Sequence, residues 1–406
     1  MAQKYEKLRL YRNLVEASVK ALKKIFSENQ LADRVVQTML RSNRKWGSKD
    51  RRFLAATIYD AVRWYRLHYE IYGKEPQTTE DWWQILGIMW ILQGLELPDW
   101  DAFVGLNPIE IKQKEQDFSQ ILKIQASIPD WLDELGRQEL GEQWAACIRA
   151  SNEPAALVLR ANQLKTSPEE LIINLDKKGV KGQLMSLPDA VLVPKRQKLT
   201  QLPSYERGYF EIQDASSQEV APFLEVKKGM AVVDACAGAG GKSLHLAALM
   251  ENKGSIISLD VEKAKLEQLQ KRSKRAAISI ITTQTIQNNQ TIQALHNTAD
   301  RLLLDVPCSG LGTLKRSPHI KWRLKPDFLE QIKATQQQIL QEYSPICQSG
   351  GKMVYATCSV LPSENQEQVQ TFLKSPAGTN FRLIREKQIL PNEGFDGFYM
   401  ALLERI

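Results

Sequence analysis

The chain has 406 residues, 43% of them hydrophobic and 25% charged, with a formal net charge of +7. That balance excludes a chain disordered throughout and leaves room for two or three domains with their own cores. Five cysteines (Cys147, Cys236, Cys308, Cys347 and Cys358) offer no CxxC pair and no Cys/His spacing suited to zinc, so neither a disulfide framework nor a metal site is expected.

Residues 1–125 are expected to be all helical. Apolar residues recur at three- and four-residue spacing through "LADRVVQTMLRSN" and "RRFLAATIYDAVRWYR", with "WGSKD" as a break between them. The opening "MAQKYEKLRLYRN" is charged, unlike a leader peptide, and "WWQILGIMWILQGL" (Trp82 to Leu95) is too short and interrupted to span a bilayer; it reads as a buried helix. Charge is unevenly placed: residues 1–75 hold 17 Lys/Arg against 8 Asp/Glu, and residues 76–135 hold 3 against 11. One surface of this region should attract polyanions.

Residues 126–222 read as a linker and a small α/β module. "AALVLRAN" and "AVLVPK" are strand-like, and "TSPEELIINLDKKG" is a helix with Ser167 as N-cap, Pro168 first, Glu170 as capping-box partner and Gly179 as stop, a β-α-β unit. Residues 223–406 alternate short apolar runs ("MAVVDACAG", "GSIISLDV", "AISIITT", "DRLLLDVPC", "GKMVYATCS") with helical stretches, the grammar of a parallel, doubly wound sheet. Ligands in such sheets sit beyond the carboxyl ends of the strands, where Asp234, Asp260, Asp305, Cys308 and Cys358 all fall.

The loop Cys236, Ala237, Gly238, Ala239, Gly240, Gly241 and Lys242 follows a strand and opens a helix, and its glycines let backbone amides approach a ligand. Asp260 ends the next strand, placed to accept hydrogen bonds from ribose hydroxyls. The loop is neither GxGxxG nor a P-loop, which weakens dinucleotide and ATP readings; an NAD-linked oxidoreductase would also leave two strand-end thiols without a task. A lone free cysteine is usually a small buried hydrophobe. Cys147 and Cys347 keep that reading, whereas Cys308 and Cys358, at two strand ends beside the acid Asp305, suit methylation of a pyrimidine at C5. A thiolate adding to C6 makes C5 nucleophilic, and a carboxylate on the N3/N4 edge of cytosine stabilises the developing charge. After transfer the C5 proton must leave and the cysteine be eliminated, which gives a second thiol or its neighbours a role as base or release group.

These motifs resemble the Fmu/Sun (RsmB-type) RNA cytosine-5 methyltransferases. The likeness runs through "GYFEIQDASSQEVAPFL", "DACAGAGGKS", "DRLLLDVPCSGLGTLKRSPHIKW", "MVYATCSVLPSEN" and "GFDGFYMALLERI". It implies a Rossmann-like domain using S-adenosyl-L-methionine, with Cys358 as the C6 nucleophile and Cys308 aiding release. It implies too that Asp305 holds the cytosine beside the cofactor, Asp260 the cofactor ribose, and that Lys242 closes the cofactor loop. Upstream, "LADRVVQTMLRSNRKWGSKDRRFLAATIYDAVRWYR" is similar to the NusB-like RNA-binding helical domain of the branch that acts on small-subunit (16S-type) ribosomal RNA. The family's usual acid after the third strand is missing, since no Asp or Glu occurs between Glu267 and Asp300, and Gln287 is the candidate for its place.

Two basic segments containing tryptophan, Arg41 to Arg52 and Leu314 to Pro326, suit phosphate contacts and stacking on unpaired bases. The expectation is a cytoplasmic RNA methyltransferase with no membrane or metal partner. The alternatives are a tRNA enzyme, a DNA cytosine-5 methyltransferase using Cys308, and a non-catalytic ribosome-assembly factor.

Overall fold

The computed structural model describes residues 9–195 and 197–406; the first eight residues of the charged opening stretch lie outside the described residues. The chain forms two compact units, one comprising the chain up to Asn152 together with Ser317–Leu324, the other Glu153–Arg316 with Lys325–Ile406.

The first unit is helical. Helices Arg12–Phe26, Ala32–Ser42, Ser48–Arg63 and Thr79–Leu92 surround a core in which Leu22, Leu54, Ile58, Trp82 and Trp90 are fully buried. The greasy segment begins its helix at a capping box, Thr78 Oγ1 accepting from Asp81 N at 3.1 Å and Asp81 Oδ2 from Thr78 N at 2.9 Å. The "WGSKD" break is the turn before Ser48–Arg63, where the Asp50 carboxylate accepts from Gly47 N at 2.9 Å. Helices Asp130–Leu140 and Gln143–Ala150 also belong to this unit.

The second unit opens with a small sheet of β1 (Leu157–Ala161), β2 (Gln183–Leu184), β3 (Ala190–Val193) and β4 (Phe210–Ile212), in the order β2-β3-β1-β4. Every pairing in it is antiparallel. The expected β-α-β unit is therefore corrected: both strands and the capped helix Pro168–Asp176 exist, with Glu170 N bound to Ser167 Oγ at 3.2 Å, but β3 returns beside β1 in the opposite sense. The chain between the two strands is long enough for either sense, and β2, pairing with β3, settles it locally.

The large sheet contains β5 (Ala231–Asp234), β6 (Ser255–Asp260), β7 (Ile281–Thr285), β8 (Ala299–Asp305), β9 (Cys347–Thr357), β10 (Phe381–Ile389) and β11 (Phe398–Arg405), ordered β10-β11-β9-β8-β5-β6-β7. Pairs among β5 to β9 are parallel, as expected from their near-continuous apolar runs. The sheet is nevertheless mixed: the closing hairpin of β10 and β11 adds antiparallel to β9. Strand order reverses between β8 and β5, which opens the crevice where ligands bind in sheets of this kind.

Candidate active site

Four strand ends meet at that crevice. Asp234 ends β5, Asp260 ends β6, Asp305 ends β8, and Cys358 directly follows β9. The glycine loop after β5 is held from several sides. Gly238 N donates to Asp260 Oδ2 at 2.9 Å and Ala237 N to Leu259 O at 2.8 Å. On its far side, the buried Arg160 of β1 donates to Gly241 O at 2.7 Å, and Arg272 to Ala239 O at 2.6 Å. At Gly240 (φ +82°) a Cβ would stand 2.3 Å from Leu269 Cγ, so glycine is needed for close packing. At Gly238 (φ +54°) nothing lies within 4 Å of the Cβ position, and that open side is room for a ligand against the loop.

Lys242, in the first turn after the loop, donates to Asp305 Oδ2 at 2.6 Å. Burial works against its charge, but Asp305 more than offsets this and raises the ammonium above its ordinary value. Asp234, below the loop, accepts from Ser243 Oγ at 2.6 Å; burial pushes its carboxyl up to about 7, with Asp305 adding to the shift.

The two strand-end thiols lie together, Cys308 Sγ and Cys358 Sγ being 3.3 Å apart. The hydrogen bond to Cys358 and burial hold the Cys308 thiol well above the usual thiol range. Cys308 is therefore a protonated partner beside Cys358. Their turns are also joined through backbone, with Gly312 N donating to Cys358 O at 2.9 Å and Gly397 N to Gly312 O at 2.8 Å. Cys236 is half-buried in the glycine loop, its thiol pushed well up by burial and the surrounding carboxylates. Gln287 is exposed two residues past β7, next to Ile286, whose N donates to Asp260 O at 3.0 Å.

Several site-forming residues escape a reading by residue type. Arg160 and Arg272 act on loop carbonyls from distant positions, and Glu364, inside the quoted "LPSEN", is fully buried between the two thiol turns. Val261, directly after Asp260, is an apolar side chain left 66% exposed.

The two basic segments differ sharply. In the second, Lys321 is buried, its Nζ donating to Arg63 O at 2.7 Å and contacting Asn152 Oδ1 at 3.1 Å, while Trp322 Nε1 donates to Val62 O at 2.7 Å. Arg316 pairs with Asp214 at 2.5 Å and Asp396 at 2.8 Å. Those side chains are structural, which corrects the expectation that Lys321 and Trp322 face RNA. In the first, Arg51 binds Trp46 O and Asn43 O, each at 3.0 Å, and also Leu40 O, thereby ordering the turn. Around it Arg41, Arg44, Lys45, Lys49 and Arg52 are exposed, and among the described residues none of the five is ion-paired.

Among the described residues no His/Cys/Asp/Glu cluster could hold a metal, and no helix is long and apolar enough to cross a membrane. A Rossmann-like sheet with a glycine loop at its switch point, an acid closing the next strand and a thiol pair beside them defines an S-adenosyl-L-methionine-dependent methyltransferase. Residues 221–404 match the family described as 16S rRNA methyltransferase RsmB/F, and residues 128–200 match the ferredoxin-like domain of RsmF/B-like methyltransferases. A probable ribosomal RNA small subunit methyltransferase B of Synechocystis is 36% identical over 300 residues, covering 69% of this chain and 67% of that one. A Bacillus subtilis protein described in the same words is 31% identical over 337 residues, 79% of this chain and 73% of that one. Among solved structures, PH0851 shares the fold with a TM-score of 0.82 at 24% identity, over 98% of this chain and 100% of that one. NSun6 from Pyrococcus horikoshii with SFG has a TM-score of 0.63 at 21% identity, over 68% of this chain and 98% of that one. The chain belongs to the RsmB/F methyltransferase family.

Proposed function

We propose that this methyltransferase modifies C5 of a cytosine in small-subunit ribosomal RNA, with Cys358 as the covalent nucleophile. The observation that carries this reading is the thiol pair, 3.3 Å apart, beside Asp305 and Lys242 at the crevice. S-adenosylmethionine, when bound, supplies an electrophilic methyl group. The residues present suit it: the open side of Gly238 would admit its chain, the Asp260 carboxylate would accept from its ribose hydroxyls, and exposed Val261 and the Gln287 amide would offer apolar and polar surface to its adenine.

Cytosine C5 is too poor a nucleophile to take a methyl group unaided. Cys358 Sγ adds to C6, forming the S–C6 bond and shifting the ring electrons towards C5, while Asp305 holds the N3/N4 edge of the cytosine. Once C5 carries the methyl group, solvent takes its remaining proton, the C–H electron pair re-forms the C5–C6 double bond, and the S–C6 pair leaves on Cys358 Sγ. Cys308, held protonated beside Cys358, is placed to return a proton to the departing thiolate. RNA is favoured over duplex DNA because the base must leave any stack, and the five unpaired cations around Arg51 suit a phosphate backbone. The helical unit then serves as a NusB-like RNA-binding domain in an enzyme of the cytoplasm.

The test uses labelled methyl transfer to small-subunit rRNA lacking its own modification. Cys358→Ala should abolish transfer and adduct formation, whereas Cys308→Ala should leave enzyme and RNA joined in a denaturant-resistant complex. The opposite pair of phenotypes would overturn the assignment.

A further inference from the structure

Glu364 is fully buried in the stretch after Cys358, and among the described residues it has no ion-pair partner. A lone buried carboxylate is costly unless hydrogen bonds take up its charge. Here four donors converge on it. Oε1 accepts from Ser309 N at 2.7 Å and from Gln336 Nε2 at 3.1 Å; Oε2 accepts from Ser309 Oγ at 2.5 Å and from Ser359 Oγ. Gln336 also donates to Pro307 O at 3.0 Å. Ser309, after Cys308, and Ser359, after Cys358, are thus tied directly to a single carboxylate, and Pro307, before Cys308, is tied to it through Gln336. The Glu364 backbone is held in turn by Tyr355 Oη, which donates to the Glu364 main-chain carbonyl at 2.7 Å. Next along, Asn365 Oδ1 accepts from Thr357 Oγ1 at 2.5 Å and its Nδ2 donates to Ser359 O at 3.1 Å, fixing the turn on its other side.

We propose that Glu364 is a positioning residue that sets the spacing and orientation of the two reactive thiols by clamping the Cys308 turn to the Cys358 turn. It touches neither RNA nor cofactor and makes no covalent step. Strands β8 and β9 bring the two turns to the same sheet edge, but their pairing ends at Asp305 and Ala356, so beyond it the thiols depend on side-chain ties and on the Gly312 backbone bridge. The inference rests on the thiol pair assigned above, and its central readout requires no catalysis.

The full-length enzyme would be compared with Glu364→Ala, Glu364→Gln and Ser359→Ala. Diamide, an azo oxidant that takes one hydrogen from each of two thiols as they join, forms a Cys308–Cys358 disulfide at a rate reporting their juxtaposition. It is followed by free-thiol count well below the unfolding temperature, alongside kcat, KM for S-adenosylmethionine and the rate of adduct formation in a Cys308→Ala background. Glu364→Ala should slow disulfide formation and lower kcat by about 100-fold, as expected for a misplacement near 1 Å, with KM for the cofactor unchanged. Glutamine keeps an acceptor for Ser309 N, and both serine hydroxyls can turn to accept from its amide, so Glu364→Gln should stay within about tenfold of the parent, the worth of one weakened hydrogen bond. If Glu364→Ala does not fold, Ser359→Ala, which removes one donor and no charge, decides by the same readouts. A folded Glu364→Ala with disulfide and adduct rates equal to the parent would overturn the proposal. If instead Cys358→Ala still methylates while Glu364→Ala slows disulfide formation, the nucleophile assignment falls and the clamp stands.

Discussion

Gly312 offers a quantitative test of how the two thiol turns are joined. A Cβ there would stand 2.1 Å from Gly397 O and 2.8 Å from Cys358 O, both backbone atoms that no rotamer change can move. Carbon and carbonyl oxygen approach to roughly 3.3 Å at closest, so Gly312→Ala must drive the Gly397 carbonyl away by about 1 Å and the Cys358 carbonyl by about half that. The same movement strains the hydrogen bonds Gly312 N to Cys358 O and Gly397 N to Gly312 O. Overpacking of this kind costs about 1 to 3 kcal/mol and each of the two strained bonds about 1 more, so the stability loss should be about 3 to 5 kcal/mol. Because Cys358 carries one of the displaced carbonyls, single-turnover methylation at saturating cofactor should fall about 100-fold. The assays are a urea midpoint and a rapid-quench time course. Gly350→Ala is the control: its φ is +75° with nothing within 4 Å, so it should lose only the roughly 1 kcal/mol of a left-handed alanine and keep full activity. A Gly312→Ala enzyme with parental stability and rate would refute the reasoning.

The basic segments should separate in a salt titration. The triple change Arg44→Ala, Lys45→Ala and Arg52→Ala should weaken RNA binding and flatten log K against log salt by roughly 0.7 to 0.9 per lost phosphate contact. Lys321→Met should leave that slope intact and destabilise the fold by about 1 to 3 kcal/mol, because the acceptors Arg63 O and Asn152 Oδ1 lose their donor. Stability should also fall in acid through His245, whose Nε2 lies 3.0 Å from Asp189 Oδ2. Burial and the neighbouring Arg160 lower it to about 4, while Asp189 pulls the other way. The folded protein then binds fewer protons than the unfolded chain between about 6.5 and about 4, so this contribution is present above 6.5 and lost as pH falls through that window. The loss is at most about 3 kcal/mol. Urea midpoints from pH 7 to 4.5 should fall less steeply in His245→Gln than in the parent.

The features legible in the amino-acid order were those set by neighbours along the chain. Ser167 and Glu170 announce their capping box, and apolar runs ending in Asp260, Asp305 and Thr357 mark the parallel strands. What escaped was decided by distant partners. Lys321 and Trp322 look like an RNA-facing pair until Val62 and Arg63, some 260 positions earlier, supply carbonyls for them. Glu364 reads as a polar loop residue because its donors Ser309 and Gln336 lie 55 and 28 positions away. The sense of β3 and the antiparallel hairpin of β10 and β11 were hidden likewise, since period-two patterning reports a strand and not its direction.

The membership of Ser317–Leu324 in the helical unit bears on how the protein emerges from the ribosome. Helix Ser48–Arg63 and Asn152 are synthesised long before Lys321, and until it arrives the carbonyls of Val62, Arg63 and Ala126 lack these donors. The amino-terminal half can collapse early around Trp82 and Trp90, but its last tie is made only after the Cys308 turn has been translated. Completion of the helical unit is thereby delayed until most of the catalytic sheet exists, and a fragment ending at Asn152 would be a folding intermediate and not a finished domain.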